Sequence, residues 1–179
     1  MKSIKRELLE WVVTIGVAAA FAFIINFFGG LAVVEGPSMM QTLQDKDILI
    51  RATYLRSAPQ FGDIIAFKTD MVHPWKLYRM LGIKKALVKR VIGLPGDHVV
   101  VTDGKVYVNE ILLHEDYIKD GTTNGEVDTV VPEGHLFVMG DNRLDSNDSR
   151  GTVGFVAIDA VIGRVVYRIY PFQSVGRPE

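Results

Sequence analysis

The stretch VVEGPSMMQTLQDKD, residues 33 to 47, holds one serine, Ser38, just beyond a long apolar segment. A serine hydroxyl is a poor nucleophile until a neighbouring base takes its proton. Histidine is the usual base, and the chain has four: His73, His98, His114 and His135. None stands at an informative spacing from a carboxylate, and no G-x-S-x-G turn frames the serine. The other base available is a lysine kept neutral. At pH 7 the neutral amine of an ordinary lysine costs about 4.6 kcal/mol to populate, and burial among apolar groups supplies the shift. Lys89 suits that role, since it sits in ALVKRVIGL with Leu87, Val88, Val91 and Ile92 close by. Strand alternation sends Lys89 and Arg90 to opposite faces, so one can point inward and the other to solvent. The plain alternative is that both lie along an edge strand, where charge discourages aggregation. Most strand lysines are exposed, so the residues alone favour that alternative.

A second polar cluster is GDNRLDSNDSR, residues 140 to 150. Its oxygen ligands are dense enough to suggest calcium. The spacing of Asp141, Asp145 and Asp148 does not match an EF-hand loop, however, and Arg143 and Arg150 would neutralise the site. Two readings stay open. The loop is either a polar turn held by Asp–Arg pairs, or a support for the chemistry in which Ser146 meets a neutral amine while Asp148 and Arg150 lock the backbone.

These side chains need elements to position them. The chain has 179 residues, enough for one domain and a short appendage. A net charge of -1 argues against a general nucleic-acid binder, and the absence of cysteine excludes disulfides and thiolate metal sites. Residues 11 to 28 carry no formal charge over 18 positions, close to the length a bilayer-spanning helix needs. Lys2, Lys5 and Arg6 precede that run and place the N-terminus inside. The expected division is therefore a cytoplasmic N-terminus and transmembrane anchor over 1–30, and an extracytoplasmic β-rich domain over 31–179. A cleaved signal peptide would have a shorter apolar region, and a buried soluble helix would be apolar along one stripe only.

Beyond residue 31 the pattern is short β segments between turns. DILIRATY, GDIIAFK, LVKRVIG, HVVVTDGKVYVNE, HLFVMGD and VIGRVVYRIYPF read as strands, and Asp103-Gly104 marks a hairpin. The fold expected is mainly β, an antiparallel sheet or barrel-like domain after one N-terminal transmembrane helix. Residues 70 to 85 mix Trp75, Leu77, Tyr78, Met80 and Leu81 with basic groups. They suit either an amphipathic element in a membrane interface or a partly helical insertion covering the core. Residues 114 to 129 read as a solvated loop.

In order, the anchor, GPSMMQTL, GDIIAFK, VKRVIGLPGD and GDNRLDSNDSR resemble the type I signal peptidases, bacterial membrane-anchored Ser–Lys proteases. The small size and the segment GTVGFVAIDAVIG look most similar to Gram-positive members. The resemblance implies Ser38 as nucleophile and Lys89 as general base. It further implies that Ser146 orients the amine, that Asp148 and Arg150 support it, and that Met39 lines the site. Arg90 and Asp141 match positions that look structural. The implied partners are signal-peptide-bearing preproteins and membrane lipid, with no nucleic acid, no cofactor and no metal. Two departures stand out. Gln41 replaces a motif proline, so Gln41→Pro is expected to raise stability or activity. Gly36 replaces a serine that in some members helps hold the oxyanion, leaving the Ser38 backbone N–H and the Gly36 region as donors. The alternative function is a membrane-anchored β domain that binds a partner without catalysis; a self-cleaving repressor-type Ser–Lys protease would lack the anchor.

Overall fold

The computed structural model describes residues 4–72, 76–81, 84–118 and 121–178, without the side chains of Lys5, residues 24–28, Tyr78 and Lys84. A first helix, α1, spans Ile4–Phe28, 25 residues with Glu7 in its first turn and an Arg6–Glu10 pair one turn apart. Its described apolar side chains, among them Trp11, Ile15, Phe21 and Phe23, are exposed. Among the described residues no helix is long and apolar enough to cross a membrane. The uncharged run of α1 includes 24–28, whose side chains lie outside that description.

The rest is antiparallel β structure. In chain order the strands are β1 Gly29–Val33, β2 Ile48–Ala52, β3 Ile64–Val72, β4 Lys84–Gly93, β5 His98–Thr102, β6 Lys105–Val108, β7 Ile111–Leu112, β8 Val127–Val130, β9 His135–Met139, β10 Val156–Ala157 and β11 Val161–Tyr170. Seven form one sheet in the order β1-β2-β11-β3-β4-β9-β10, and four form a second, β7-β6-β5-β8. The predicted Asp103-Gly104 turn joins β5 to β6 with Thr102 opposite Lys105. Both turn residues have positive φ, 50° and 75°, as a two-residue hairpin with the twist of its strands requires.

Apolar residues that alternate in these strands meet in three clusters. One, with Ile92, Val99, Val106 and Phe137, joins the second sheet to β4 and β9. Another gathers Ile65, Phe67, Val91, Val138 and Val161 within the large sheet. The third holds Met39 and Leu43 against Val34, Leu49, Ile64 and Val165. That third cluster fastens the serine-bearing loop between β1 and β2, since fully burying each such side chain stabilises by about 1.5–3 kcal/mol.

Directly after α1, β1 starts at Gly29 and pairs with β2 from Gly29↔Ala52 to Val33↔Ile48. Two expectations change. In the 70–85 stretch, β3 continues to Val72 and a short helix, α2, spans Lys76–Met80. Leu77, Met80 and Leu81 there are exposed and do not cover the core; His73 and Trp75 lie outside the described residues. Finally, 114–129 is not simply solvated. It contains β8, buried Thr123 and half-buried Glu115 and Tyr117. The reason is distant in sequence: Arg143 is fully buried and needs a carboxylate, which Glu115 provides.

Candidate active site

Ser38 sits in the loop that carries the chain from β1 to β2. Backbone bonds from Val34 N–H to Asp47 O and from Lys46 N–H to Val34 O, both 2.9 Å, close the loop at its base. Buried Asp47 accepts from Gln44 N–H at 2.9 Å and from Arg168 Nη1 at 3.0 Å. Met39 and Leu43 point into the core, so the intervening backbone is held and Ser38, half-buried, faces the site. The N–H of Ser38 makes no hydrogen bond among the described residues. That of Gly36 donates to Asp45 Oδ1 at 2.9 Å and is engaged.

Lys89 comes from β4, a central strand between β3 and β9. Its side chain is 2% exposed, and its Nζ lies 2.5 Å from Ser38 Oγ and 3.2 Å from Val88 O. Burial lowers its pKa to about 8; Asp148 and Asp141 pull it back up, while Lys85 and Arg150 push it further down. A fraction of the amine is thus unprotonated near neutral pH, in contact with the hydroxyl it would deprotonate.

The alternation expected for Lys89 and Arg90 holds, but neither side chain reaches solvent. Arg90 is 6% exposed and grips buried Asp141 with two nitrogens, Nε at 2.9 Å and Nη2 at 2.8 Å. Thr42, four residues after Ser38, donates its hydroxyl to the same carboxylate at 2.5 Å. The face opposite the lysine is covered by this network.

Asp141 opens the 140–150 loop, and Gly140 fits where a larger residue would not. A Cβ there would collide with the Ser146 side chain and with Ser38 O. Gly140 N–H donates to Asp148 Oδ2 at 2.9 Å. Asn142 binds the serine loop twice, through its N–H to Ser38 O and its Nδ2 to Pro37 O, both 3.1 Å. Arg150 clamps Asp148 through Nε at 2.9 Å and Nη2 at 2.8 Å. Burial pushes the Asp148 carboxyl up, but bonds and charge from Arg150 and the Gly140 N–H bring it below its ordinary value.

Ser146 behaves differently. Its Oγ is buried without a hydrogen-bond partner among the described residues. It stands near enough to Asp148 to help lower that carboxyl without reaching hydrogen-bond geometry. It does not bond Lys89. The structure thus gathers Ser38, Lys89, Met39, Asp148 and Arg150 with Ser146 beside them, and leaves His98, His114 and His135 elsewhere. His98 is held by exposed Glu110 and Asp128, and His114 pairs with Asp116. Among the described residues no group of three or more acidic or histidine side chains could hold a metal.

Gln41 has φ +100°. Proline fixes φ near −65°, so this turn cannot take one, and the expected benefit of Gln41→Pro is overturned. Sequence reasoning also missed Arg143, Glu115 and Tyr117. Nothing local signalled them, because the 140–150 loop already holds three aspartates for its two arginines.

The family described as "Signal peptidase, peptidase S26" matches residues 8–170. A "Probable signal peptidase I-1" of Synechocystis is 37% identical over 166 residues, 90% of this chain and 82% of its own length. "Signal peptidase I S" of Bacillus subtilis is 31% identical over 185 residues, 96% of this chain and 94% of its own. Cyanobacterial as well as Gram-positive relatives are therefore similar to it. A signal peptidase I structure from Enterococcus faecalis is 33% identical, covering 59% of this chain and 95% of that one, with a TM-score of 0.48. A match across nearly the whole chain, with relatives above 30% identity over most of their length, means that the chain belongs to the signal peptidase family, peptidase S26.

Proposed function

We propose that this serine protease removes signal peptides from preproteins with a Ser38–Lys89 dyad, while α1 anchors it in the membrane. The observation that carries the dyad is the 2.5 Å approach of a 2% exposed lysine amine to a serine hydroxyl. Neutral Lys89 takes the Ser38 proton as Oγ attacks the scissile carbonyl. The tetrahedral oxyanion is met by the Ser38 N–H, whose intramolecular bonding is unfilled among the described residues. Protonated Lys89 then gives its proton to the leaving amine, forming the acyl-enzyme, and next takes a proton from the water that hydrolyses it. The unpartnered Ser146 hydroxyl serves the Lys89 amine during these transfers, and Asp148 with Arg150 keeps the loop in place. Met39, buried beneath Ser38, forms a wall of the site.

Among the described residues β4 has no partner on its β9 side before Arg90. That open edge beside Lys89 suits an extended substrate segment adding as a strand.

For the anchor, 25 helical residues at about 1.5 Å each give roughly 37 Å, against a hydrocarbon core of about 30 Å. Residues 1–30 would comprise the cytoplasmic N-terminus and span, and 31–179 the extracytoplasmic peptidase. Ser38 follows Phe28 by ten residues, a reach of at most about 35 Å, so it works where a signal peptide leaves the bilayer.

The test incubates the detergent-solubilised chain with a preprotein, beside Ser38→Ala and Lys89→Ala. Both variants should lose cleavage; activity persisting in both rejects the dyad.

A further inference from the structure

The loop after β7 reaches the active site through two residues to which nothing above gives a role in the reaction. Every in-plane edge of the Arg90 guanidinium is occupied: Nε and Nη2 bind Asp141, and Nη1 donates to Gly62 O at 3.0 Å. Its flat face is covered by the Tyr117 ring, with Cζ 3.9 Å from the ring centroid. The Tyr117 hydroxyl donates to Glu115 Oε1 at 2.7 Å. Glu115 in turn receives both Nη groups of Arg143, one at 2.8 Å. Arg143 donates through Nε to Gly140 O at 3.1 Å and through Nη1 to Thr123 Oγ1 at 2.9 Å.

These bonds join two points. Arg90 is the residue after Lys89, so Tyr117 bears on the strand that carries the amine. Gly140 packs on Ser38 O and Ser146, so Glu115, through Arg143, bears on the serine side. No other contact described above connects the two flanks through side chains from this loop.

We propose that Glu115 and Tyr117 are positioning residues, a clamp from the loop after β7 that sets the distance between Lys89 and Ser38. The proposal rests on the dyad reading. Neither residue touches substrate; both act through Arg90 and Arg143. Proton transfer needs hydrogen-bond reach, and a misplacement of about 1 Å costs on the order of 100-fold in rate. Loosening Arg90 also leaves Asp141 less neutralised; of the charges that face Lys89, Asp148 and Asp141 raise its pKa while Lys85 and Arg150 lower it. A stronger Asp141 field favours the ammonium form, so the rising limb of the rate against pH moves to higher pH.

The experiment measures kcat, KM and the pH profile for the full chain in detergent with a signal-peptide-bearing preprotein. Tyr117→Leu should lower kcat about 10- to 100-fold, leave KM within about twofold, and shift the limb upward. Tyr117→Phe keeps the ring over Arg90 but loses the bond to Glu115, so its kcat should lie between those of Tyr117→Leu and the wild type. Glu115→Gln, which loses one acceptor for Arg143, should fall between them and also shift the limb; it decides the matter if Tyr117→Leu does not fold. Unchanged kcat and limb in the variants that fold overturn the clamp, as does a loss confined to KM or one that merely follows a lower folded fraction. Ser38→Ala and Lys89→Ala run alongside. Inactive dyad variants beside an unaffected Tyr117→Leu overturn the clamp alone, whereas active ones overturn the dyad and the clamp with it.

Discussion

Lys89 carries a cost that its burial imposes on the fold. Its pKa drops from 10.5 to about 8, so between those values the unfolded chain holds a proton that the folded chain lacks. Stability therefore rises with pH across that window. Below about pH 8 the cost is fully present, roughly 3 kcal/mol for a shift of this size. Lys89→Met, similar in length and uncharged, should then melt several degrees higher than the wild type at pH 6, at about 2–4 °C per kcal/mol. The difference should shrink as pH climbs toward 10; thermal melts showing a constant gap, or a less stable variant at pH 6, count against this account. Gln41 offers a second residue-level test. Its φ of +100° strains any side chain, so Gln41→Gly should stabilise by about 1 kcal/mol. Gln41→Pro should lower the melting temperature, because its ring cannot adopt that φ.

At the scale of elements, the 140–150 loop is a wedge between the serine loop and β4. Gly140 is bonded on both sides, to Asp148 and Arg143, and cannot retreat from an added methyl. Gly140→Ala should cost about 1–3 kcal/mol of stability and lower kcat, read by chemical denaturation and by preprotein cleavage; an active variant of wild-type stability would show that the close approach does not matter. Removing charge beneath the dyad tests the other flank. Asp141→Asn leaves buried Arg90 without its counter-charge and should destabilise by about 3–5 kcal/mol. A variant within measurement error of the wild type would show that Arg90 is held by its remaining partners. Seven of the strands were legible because period-two patterns and turn residues are local signals. The two-residue strands β7 and β10 were not, being too short for a period to show, and β8 hid inside a polar loop.

On the scale of the whole molecule, a helix, a large sheet and a small sheet share the work of placing one serine. If α1 is the anchor, alkaline carbonate should leave the full chain in the membrane pellet and release a version lacking 4–28. Release of the full chain would remove the anchoring part of the proposal while leaving the dyad intact. The sequence by itself determined the uncharged N-terminal run, the strand pattern, the Asp103-Gly104 turn and the residue types of the site, since each depends on near neighbours along the chain. Its motifs also sufficed to name the family. Only the tertiary structure decided that Lys89 is buried rather than exposed on an edge, because burial depends on β3 and β9, which flank β4 in space. It alone brought Lys89 against Ser38, 51 positions away, and forbade the proline at 41 by fixing its φ. It also turned Glu115 and Tyr117 from loop residues into supports, because a buried guanidinium needs a partner and the nearest carboxylate in space lay far off in sequence.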